Sequence, residues 1–270
     1  ALIYKGTTAE QKTILGTLET IEKQAAYSTV KPPALLVVGD VGTCHNQLNW
    51  WEKLPLAGQR FIVFRPKNHE QSLAEPLQSL GADVIHIPLI SIKPLSPQNW
   101  EPSSLKQFTH LIFTSAQGVN HFFNLLLKNN IDTRKLSHTH IMAVGPRTGE
   151  TLKQWGILSD QVAEDPRQEG VLDQLPQDLT DSHILLPGAS QIRNLLETEI
   201  QKRHGKFSHL PVYESTYTPP PSQAQIHPND NLILTNPKTI TFLKNSPLKT
   251  HPTQPLYCMG KTTYEAAKKE

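Results

Sequence analysis

The sequence predicts an α/β protein of two lobes, each a parallel sheet flanked by helices, preceded by a distinct N-terminal segment. Three observations lead there. From Gln59 onward, short apolar runs and amphipathic stretches alternate as strand, turn and helix, the pattern of parallel sheets with flanking helices. Two proline-rich stretches, one holding Pro88, Pro94, Pro97 and Pro102 and the other Pro219-Pro220-Pro221, interrupt the alternation and suit crossings between two lobes. Leu54-Pro55-Leu56-Ala57-Gly58 breaks the pattern ahead of it and marks a boundary.

Taken in order, the N-terminal segment reads helix then strand. Thr7 or Thr8 is placed to cap a helix, with Gln11 three residues after Thr8 in capping-box spacing, and Ile14, Leu15, Leu18 and Ile21 recur on one helical face. Pro32-Pro33 ends it, and Ala34-Leu35-Leu36-Val37-Val38 predicts a strand buried on both faces. Trp50 and Trp51 are expected to pack within this segment. Beyond Gln59, strands are predicted at 61–64, 84–90, 110–113, 141–144, 184–186, 210–213, 232–234 and 256–259. Helices are predicted at 70–80, closed by Gly81, then at 116–127, 146–155 and 190–204, with further helices opening after the last two strands.

Composition narrows the function. Apolar residues make up 37% and charged residues 19% of 270, enough for one large or two modest cores. The net charge is +2 and Lys and Arg are interspersed with acids, so neither a nucleic-acid stripe nor a membrane-attracting patch is predicted. Cys44 and Cys258 stand far apart with no second ligand beside them, which points to a reduced, cytoplasmic protein and to small buried side chains in place of nucleophiles. No run reaches the eighteen or so apolar residues of a membrane helix, and no secretory signal is present. The chain opens on Ala1, so its natural N-terminus is expected further upstream.

The strand-to-helix turns carry the chemical signal. Thr114-Ser115-Ala116-Gln117, Gly145-Pro146-Arg147-Thr148, Gly188-Ala189-Ser190-Gln191, Thr235-Asn236-Pro237-Lys238-Thr239 and Gly260-Lys261-Thr262-Thr263 all fall there. Strand carboxyl ends face the ligand crevice in open α/β sheets, and helix N-termini offer free N–H groups and partial positive charge to anions. Several such turns suit a ligand with many carboxylates. The same residues are also ordinary helix caps, and that reading stays open turn by turn. Dinucleotide and phosphate loops, zinc-protease helices and nucleophile elbows are all missing, and the twelve histidines are scattered, with His138 and His140 in a polar loop. Chemistry here is therefore expected to run by positioning and electrostatics, without metal or nucleotide.

Phe61-Ile62-Val63-Phe64-Arg65-Pro66, Leu111-Ile112-Phe113-Thr114-Ser115, Ala143-Val144-Gly145-Pro146-Arg147-Thr148, Leu210-Pro211-Val212-Tyr213 and Gly260-Lys261-Thr262-Thr263 resemble, in order and spacing, the landmarks of uroporphyrinogen-III synthase over about 59–270. Separately, Gly6-Thr7-Thr8-Ala9-Glu10-Gln11, Gly16-Thr17-Leu18, Pro33-Ala34-Leu35-Leu36-Val37-Val38-Gly39 and Leu48-Asn49-Trp50 resemble the C-terminal end of uroporphyrinogen-III C-methyltransferase. The chain thus resembles part of a methyltransferase–synthase fusion. Residues 1–56 would be the methyltransferase remnant, 59–92 with 218–270 the first synthase lobe, and 98–214 the second.

The resemblance implies conversion of hydroxymethylbilane to uroporphyrinogen III, with loss of water and inversion of the last pyrrole ring through a spirocyclic intermediate. It implies Tyr213 as the phenol assisting departure of the hydroxyl group; a strand-end tyrosine capping the core is the alternative. Arg65, Thr114, Ser115, Thr148, Gly188, Ser190, Asn236 and Thr262 would contact substrate. The synthase would use no cofactor or metal. Gly6 would sit at the rim of an S-adenosylmethionine pocket complete only in the methyltransferase parent, so no methyl transfer is expected from this chain. Hand-over from hydroxymethylbilane synthase is the partner it suggests. Phe64, Asn236 and Pro187 depart from the family's usual residues, and the family normally has a further strand and helix after the one begun at Thr263, which leaves the first lobe incomplete. A uroporphyrinogen-III C-methyltransferase identity inherited from the fused parent, or a two-lobed polyanion binder without chemistry, are the competing readings.

Overall fold

The computed structural model describes residues 1–28, 30–65, 71–97 and 101–269. Pro66 and Glu70, and the boundary positions 98 and 270, lie outside the described residues. The chain divides into two compact units, Ala1–Ser91 with Tyr217–Glu270, and Ile92–Thr216.

The first unit begins with β1 (Leu2–Tyr4), β2 (Lys12–Ile14), α1 (Ile21–Tyr27), β3 (Ala34–Leu36) and α2 (His45–Leu48). The three strands form an antiparallel sheet ordered β2-β1-β3. The helix expected from Thr7 or Thr8 is therefore a hairpin. Lys5 and Thr7 take positive φ of 44° and 59°, which no α-helix admits, and the chain reverses there. The side chains that suggested a cap close this turn instead: Thr7 N–H donates to Gln11 Oε1 at 2.6 Å and Glu10 N–H to Thr8 Oγ1 at 3.2 Å. The 34–38 run also departs from expectation. All three β3 residues are exposed, because β3 is an edge strand with its apolar side chains uncovered. Trp51 packs, donating from Nε1 to the Thr8 carbonyl at 3.2 Å, whereas Trp50 is 62% exposed.

β4 (Arg60–Phe64) then leads through α3 (Gln71–Ser79) to β5 (Asp83–His86). Gly81, at φ +92°, closes the connection. A Cβ there would sit 2.7 Å from Leu54 Cβ, so only glycine serves both the backbone angle and the close approach.

The second unit centres on β6 (Ile90–Pro94), β7 (His110–Phe113), α4 (Ala116–Lys128), β8 (His140–Ala143), α5 (Pro146–Gln154), β9 (Gln161–Val162), α6 (Gln168–Gln174), β10 (His183–Ala189), α7 (Leu195–Lys202) and β11 (Lys206–Tyr217), with Ile90, Ser91 and Tyr217 at the strand ends counted in the first unit. Its six-stranded sheet is ordered β6-β11-β10-β7-β8-β9, with β11 through β9 parallel. The first proline-rich stretch is thus partly a strand. β6 lies at the sheet edge, a position that tolerates a missing proline N–H. The apolar runs are unbroken because both faces are covered. Leu111, Phe113, Ile141, Ala143 and Leu185 pack with Phe122, Phe123, Leu126 and Leu152 of α4 and α5. Ile112, Met142, Ile184 and Leu186 pack on the other face with Val171, Leu172, Leu196 and Ile200 of α6 and α7.

The chain returns to the first unit with β12 (Asn231–Leu234), α8 (Pro237–Lys244), β13 (Leu256–Cys258) and α9 (Lys261–Lys268). A parallel sheet ordered β13-β12-β4-β5 results. Ile62, Phe64, Leu232 and Leu234 face the α8 side, and Phe61, Val63 and Ile233 the α3 side. Arg60 and the buried Asp230 tie the strand starts together through Nη2 and Oδ2 at 3.0 Å.

Candidate active site

Because β11, β10, β7 and β8 run parallel, their carboxyl ends share one edge of the six-stranded sheet. Tyr213 stands there through a fault in the ladder. Gly188 pairs with Pro211 but Ala189 pairs with Tyr213, so Val212 is the extra residue of a bulge. In a regular strand Leu210 and Val212 would face one side and Tyr213 the other. Here all three belong to the core shared with α4 and α5. The bulge therefore turns the phenol toward the start of α4. Ser190 N–H donates to the Tyr213 carbonyl at 2.7 Å and closes the irregularity.

At the start of α4, Ser115 is the N-cap and its Oγ accepts from Gly118 N–H at 3.0 Å. The same Oγ lies 3.2 Å from the Tyr213 hydroxyl. An oxygen that has accepted from an amide keeps its own proton, so Ser115 can donate to the phenol oxygen and leave the phenolic proton free. Gly118 makes the approach possible: a Cβ there would fall 2.8 Å from the Pro187 carbonyl of β10. Tyr213 is only 9% exposed, and burial pushes its pKa above the ordinary phenol value, with the Ser115 hydrogen bond opposing in part. The hydroxyl is therefore protonated at neutral pH. The His121 ring stacks on the phenol, with centroids 5.4 Å apart and planes 29° from parallel, and burial lowers its pKa.

Of the residues singled out from sequence, the structure brings Tyr213 and Ser115 into direct contact, with Thr114 beside them at the end of β7, Gly188 buried in β10, and Ser190 bonded to the Tyr213 backbone. Ser190 does not open a helix, as α7 starts only at Leu195; the residues between form a loop, and Ser190 is exposed. Thr148 is buried at the third position of α5, its amide donating to the Gly145 carbonyl at 3.0 Å. In the first unit, Arg65 follows β4 and is 8% exposed, and Thr235 Oγ1 donates to the Phe64 carbonyl at 3.4 Å. Asn236 caps α8, its Oδ1 accepting from Lys238 N–H at 2.9 Å. Thr262 is exposed in the first turn of α9, while its neighbour Thr263 is buried. Gly6 lies on the hairpin of the N-terminal sheet and lines a cavity of about 420 Å³ with Ile3, Thr7, Gln11 and Trp51. Cys44 and Cys258 are both partly exposed free thiols.

His121 and the bulge escaped the sequence reading. Pro211 inside a strand was the signal for the second; a histidine one helical turn and a half beyond a cap carries none by itself. His140 is no loop residue: it begins β8, with Nδ1 3.7 Å from Asp160 Oδ2 and its ring edge-on to His110. Among the described residues no cluster of three metal-ligating side chains occurs, and no helix is long and apolar enough to cross a membrane.

A family profile described as uroporphyrinogen-III synthase HemD matches residues 71–270. The porphyrin biosynthesis protein HemD of Ruminiclostridium josui is 29% identical over 291 aligned positions, which cover 100% of this chain and 55% of that one. The uroporphyrinogen-III C-methyltransferase of Bacillus subtilis (strain 168) is 28% identical over 171 positions, 63% of this chain and 35% of the other. The chain thus spans about half, or less, of the length of these relatives. A mutant uroporphyrinogen III synthase from the extremely thermophilic bacterium Thermus thermophilus shares the fold at a TM-score of 0.56 and 16% identity, over 78% of this chain and 88% of that structure. With 200 of its 270 residues matched, the chain belongs to the uroporphyrinogen-III synthase HemD family.

Proposed function

We propose that the chain closes hydroxymethylbilane to uroporphyrinogen III, losing water and inverting ring D, as a cyclising lyase. One observation carries the reading beyond family membership: a buried, protonated phenol, Tyr213, whose oxygen is engaged by Ser115 at the tips of four parallel strands. Tyr213 gives its proton to the departing hydroxyl as the C–O bond breaks, and the pyrrole nitrogen lone pair supplies the electrons that replace it. Ser115 donates to the phenolate oxygen so formed. The cation is attacked by the substituted α-carbon of ring D to give the spirocyclic intermediate. The bond from that carbon to the bridge toward ring C then breaks and re-forms at the other α-carbon of ring D, and the proton lost as the ring regains aromaticity returns to the Tyr213 phenolate. Thr148 and the amides of the strand-tip turns of the second unit hold substrate carboxylates. Every step needs only a proton donor and anion-binding amides, so no metal or cofactor enters the proposal. A cytoplasmic setting and delivery of the substrate by hydroxymethylbilane synthase complete it.

The test is isomer composition. Given hydroxymethylbilane, the chain should yield the type III porphyrin after oxidation and chromatography; spontaneous closure gives type I. Type I alone would leave a polyanion binder without chemistry.

A second reading concerns residues 1–56. The exposed apolar edge strand β3 and the cavity beside Gly6 favour its being the end of a tetrapyrrole methyltransferase, whose missing part covers that sheet and completes the S-adenosylmethionine pocket.

A further inference from the structure

We infer that His121 is a positioning residue for Tyr213, its imidazole face fixing the plane in which the phenol presents its proton. The inference rests on the cyclisation proposed above. Two bonds already hold Tyr213: Ser190 N–H to its carbonyl at 2.7 Å and the Ser115 hydroxyl at 3.2 Å. Neither fixes the ring plane. The phenol oxygen lies on the axis through Cβ, Cγ and Cζ, so the ring can rotate about that axis without lengthening the Ser115 bond. The ring plane nevertheless decides where the proton points, because conjugation keeps a phenolic O–H close to the plane of its ring. Beside the core side chains that enclose the ring, a flat group stacked on its face limits that rotation, and His121 supplies one, with centroids 5.4 Å apart and planes within 29°. His121 and Ser115 sit on the same helix, six residues apart, and that helix is seated on β10 at Gly118. Hydroxyl support and face support therefore move as one body. Burial holds the imidazole below its ordinary pKa, so the stacked ring is neutral.

A filler of the core and a plane-setting face make different demands, and substitutions in the full chain separate them. His121→Leu keeps volume without a flat face; His121→Phe keeps both. The expected result is a kcat about tenfold lower for His121→Leu with KM unchanged, and a kcat within about threefold of wild type for His121→Phe. In parallel, the Tyr213 ring-proton shifts, read by NMR without substrate, should move in His121→Leu and return toward wild type in His121→Phe. Wild-type turnover by His121→Leu, or equal loss in both variants, would overturn the inference. Tyr213→Phe is the control for the underlying reading. If it is slow while His121→Leu is not, the His121 role alone falls; if it turns over at the wild-type rate, the phenol leaves the mechanism and the His121 role falls with it.

Discussion

Ser115→Ala tests the site most sharply, because one oxygen makes two contacts of different kinds. As N-cap it accepts from Gly118 N–H at 3.0 Å, and losing a cap costs about 1 kcal/mol. Its second contact, 3.2 Å to the Tyr213 hydroxyl, satisfies a group only 9% exposed, and leaving such a hydroxyl unpaired costs about 1–3 kcal/mol. The total, about 2–4 kcal/mol, lowers the melting temperature by roughly 4–16 °C in a chain of this size. The rate effect is separate. Tyr213→Phe removes the proposed proton donor, a role worth about 10²–10⁴ in kcat. Ser115→Ala leaves the donor present but unsupported, a loss of about tenfold. If Ser115 acts through the phenol, combining both changes gives the rate of Tyr213→Phe alone, an interaction of about 1.4 kcal/mol in the double-mutant cycle. Stability behaves likewise: in the Tyr213→Phe background Ser115→Ala should cost only the cap. The assay is initial rate of type III formation at saturating hydroxymethylbilane, with thermal melts of all four proteins. A further tenfold loss from Ser115→Ala in the Tyr213→Phe background would refute the reasoning and return Ser115 to direct substrate contact.

Stability should fall between pH 7 and pH 5. His110, His121, His183 and His209 all have pKa values lowered chiefly by burial, with His140 adding to the effect on His110 and Lys206 to that on His183. Between those depressed values and the unfolded value near 6.5, the unfolded chain binds more protons, so acid favours unfolding as pH drops through about 6.5. Asp132, held at about 2 by Arg134, stays ionised throughout that window. A melting temperature unchanged from pH 7 to pH 5 would contradict this. With S-adenosylmethionine carrying a labelled methyl group, the chain alone should leave uroporphyrinogen III unlabelled; incorporation would show that residues 1–56 form a working pocket unaided.

Most of the architecture after Gln59 was legible because its elements are built from long, consistent signals. Strands covered on both faces read as continuous apolar runs, as in Ile141-Met142-Ala143-Val144, and α4 shows its buried stripe through Val119, Phe122, Phe123 and Leu126. β9 has two residues and α6 seven, too short for any period to register. The N-terminal failures are different in kind. Ile14, Leu15, Leu18 and Ile21 sit at helical intervals, but Leu18 is 79% exposed and only Ile14 of the four is buried, so the interval was coincidence. The apolar β3 run marks a strand made to be covered, without telling what covers it. At the site, Tyr213 and Ser115 could each be named from a motif, but they lie 98 positions apart, and their contact depends on a ladder irregularity that neither residue announces.

The irregularity also bears on why a buried tyrosine suits the proposed step. A phenol whose pKa is raised would be a poor acid if the task were to protonate a weak base at equilibrium. The departing group is hydroxide as the C–O bond stretches, however, and its conjugate acid, water, is a far weaker acid than any phenol. As cleavage advances, the oxygen's affinity for a proton rises past that of even a raised phenol, and transfer becomes downhill. What burial adds is a donor that stays protonated across the neutral range and does not wander. A surface tyrosine would share the proton without the position; a wholly enclosed one would have the position without reach. Tyr213 satisfies both because the bulge makes one residue a member of the core and of the strand-tip edge at once. Restoring a regular register would turn the phenol to the opposite face of the sheet, away from Ser115 and His121, so the site depends on that one extra residue in β11.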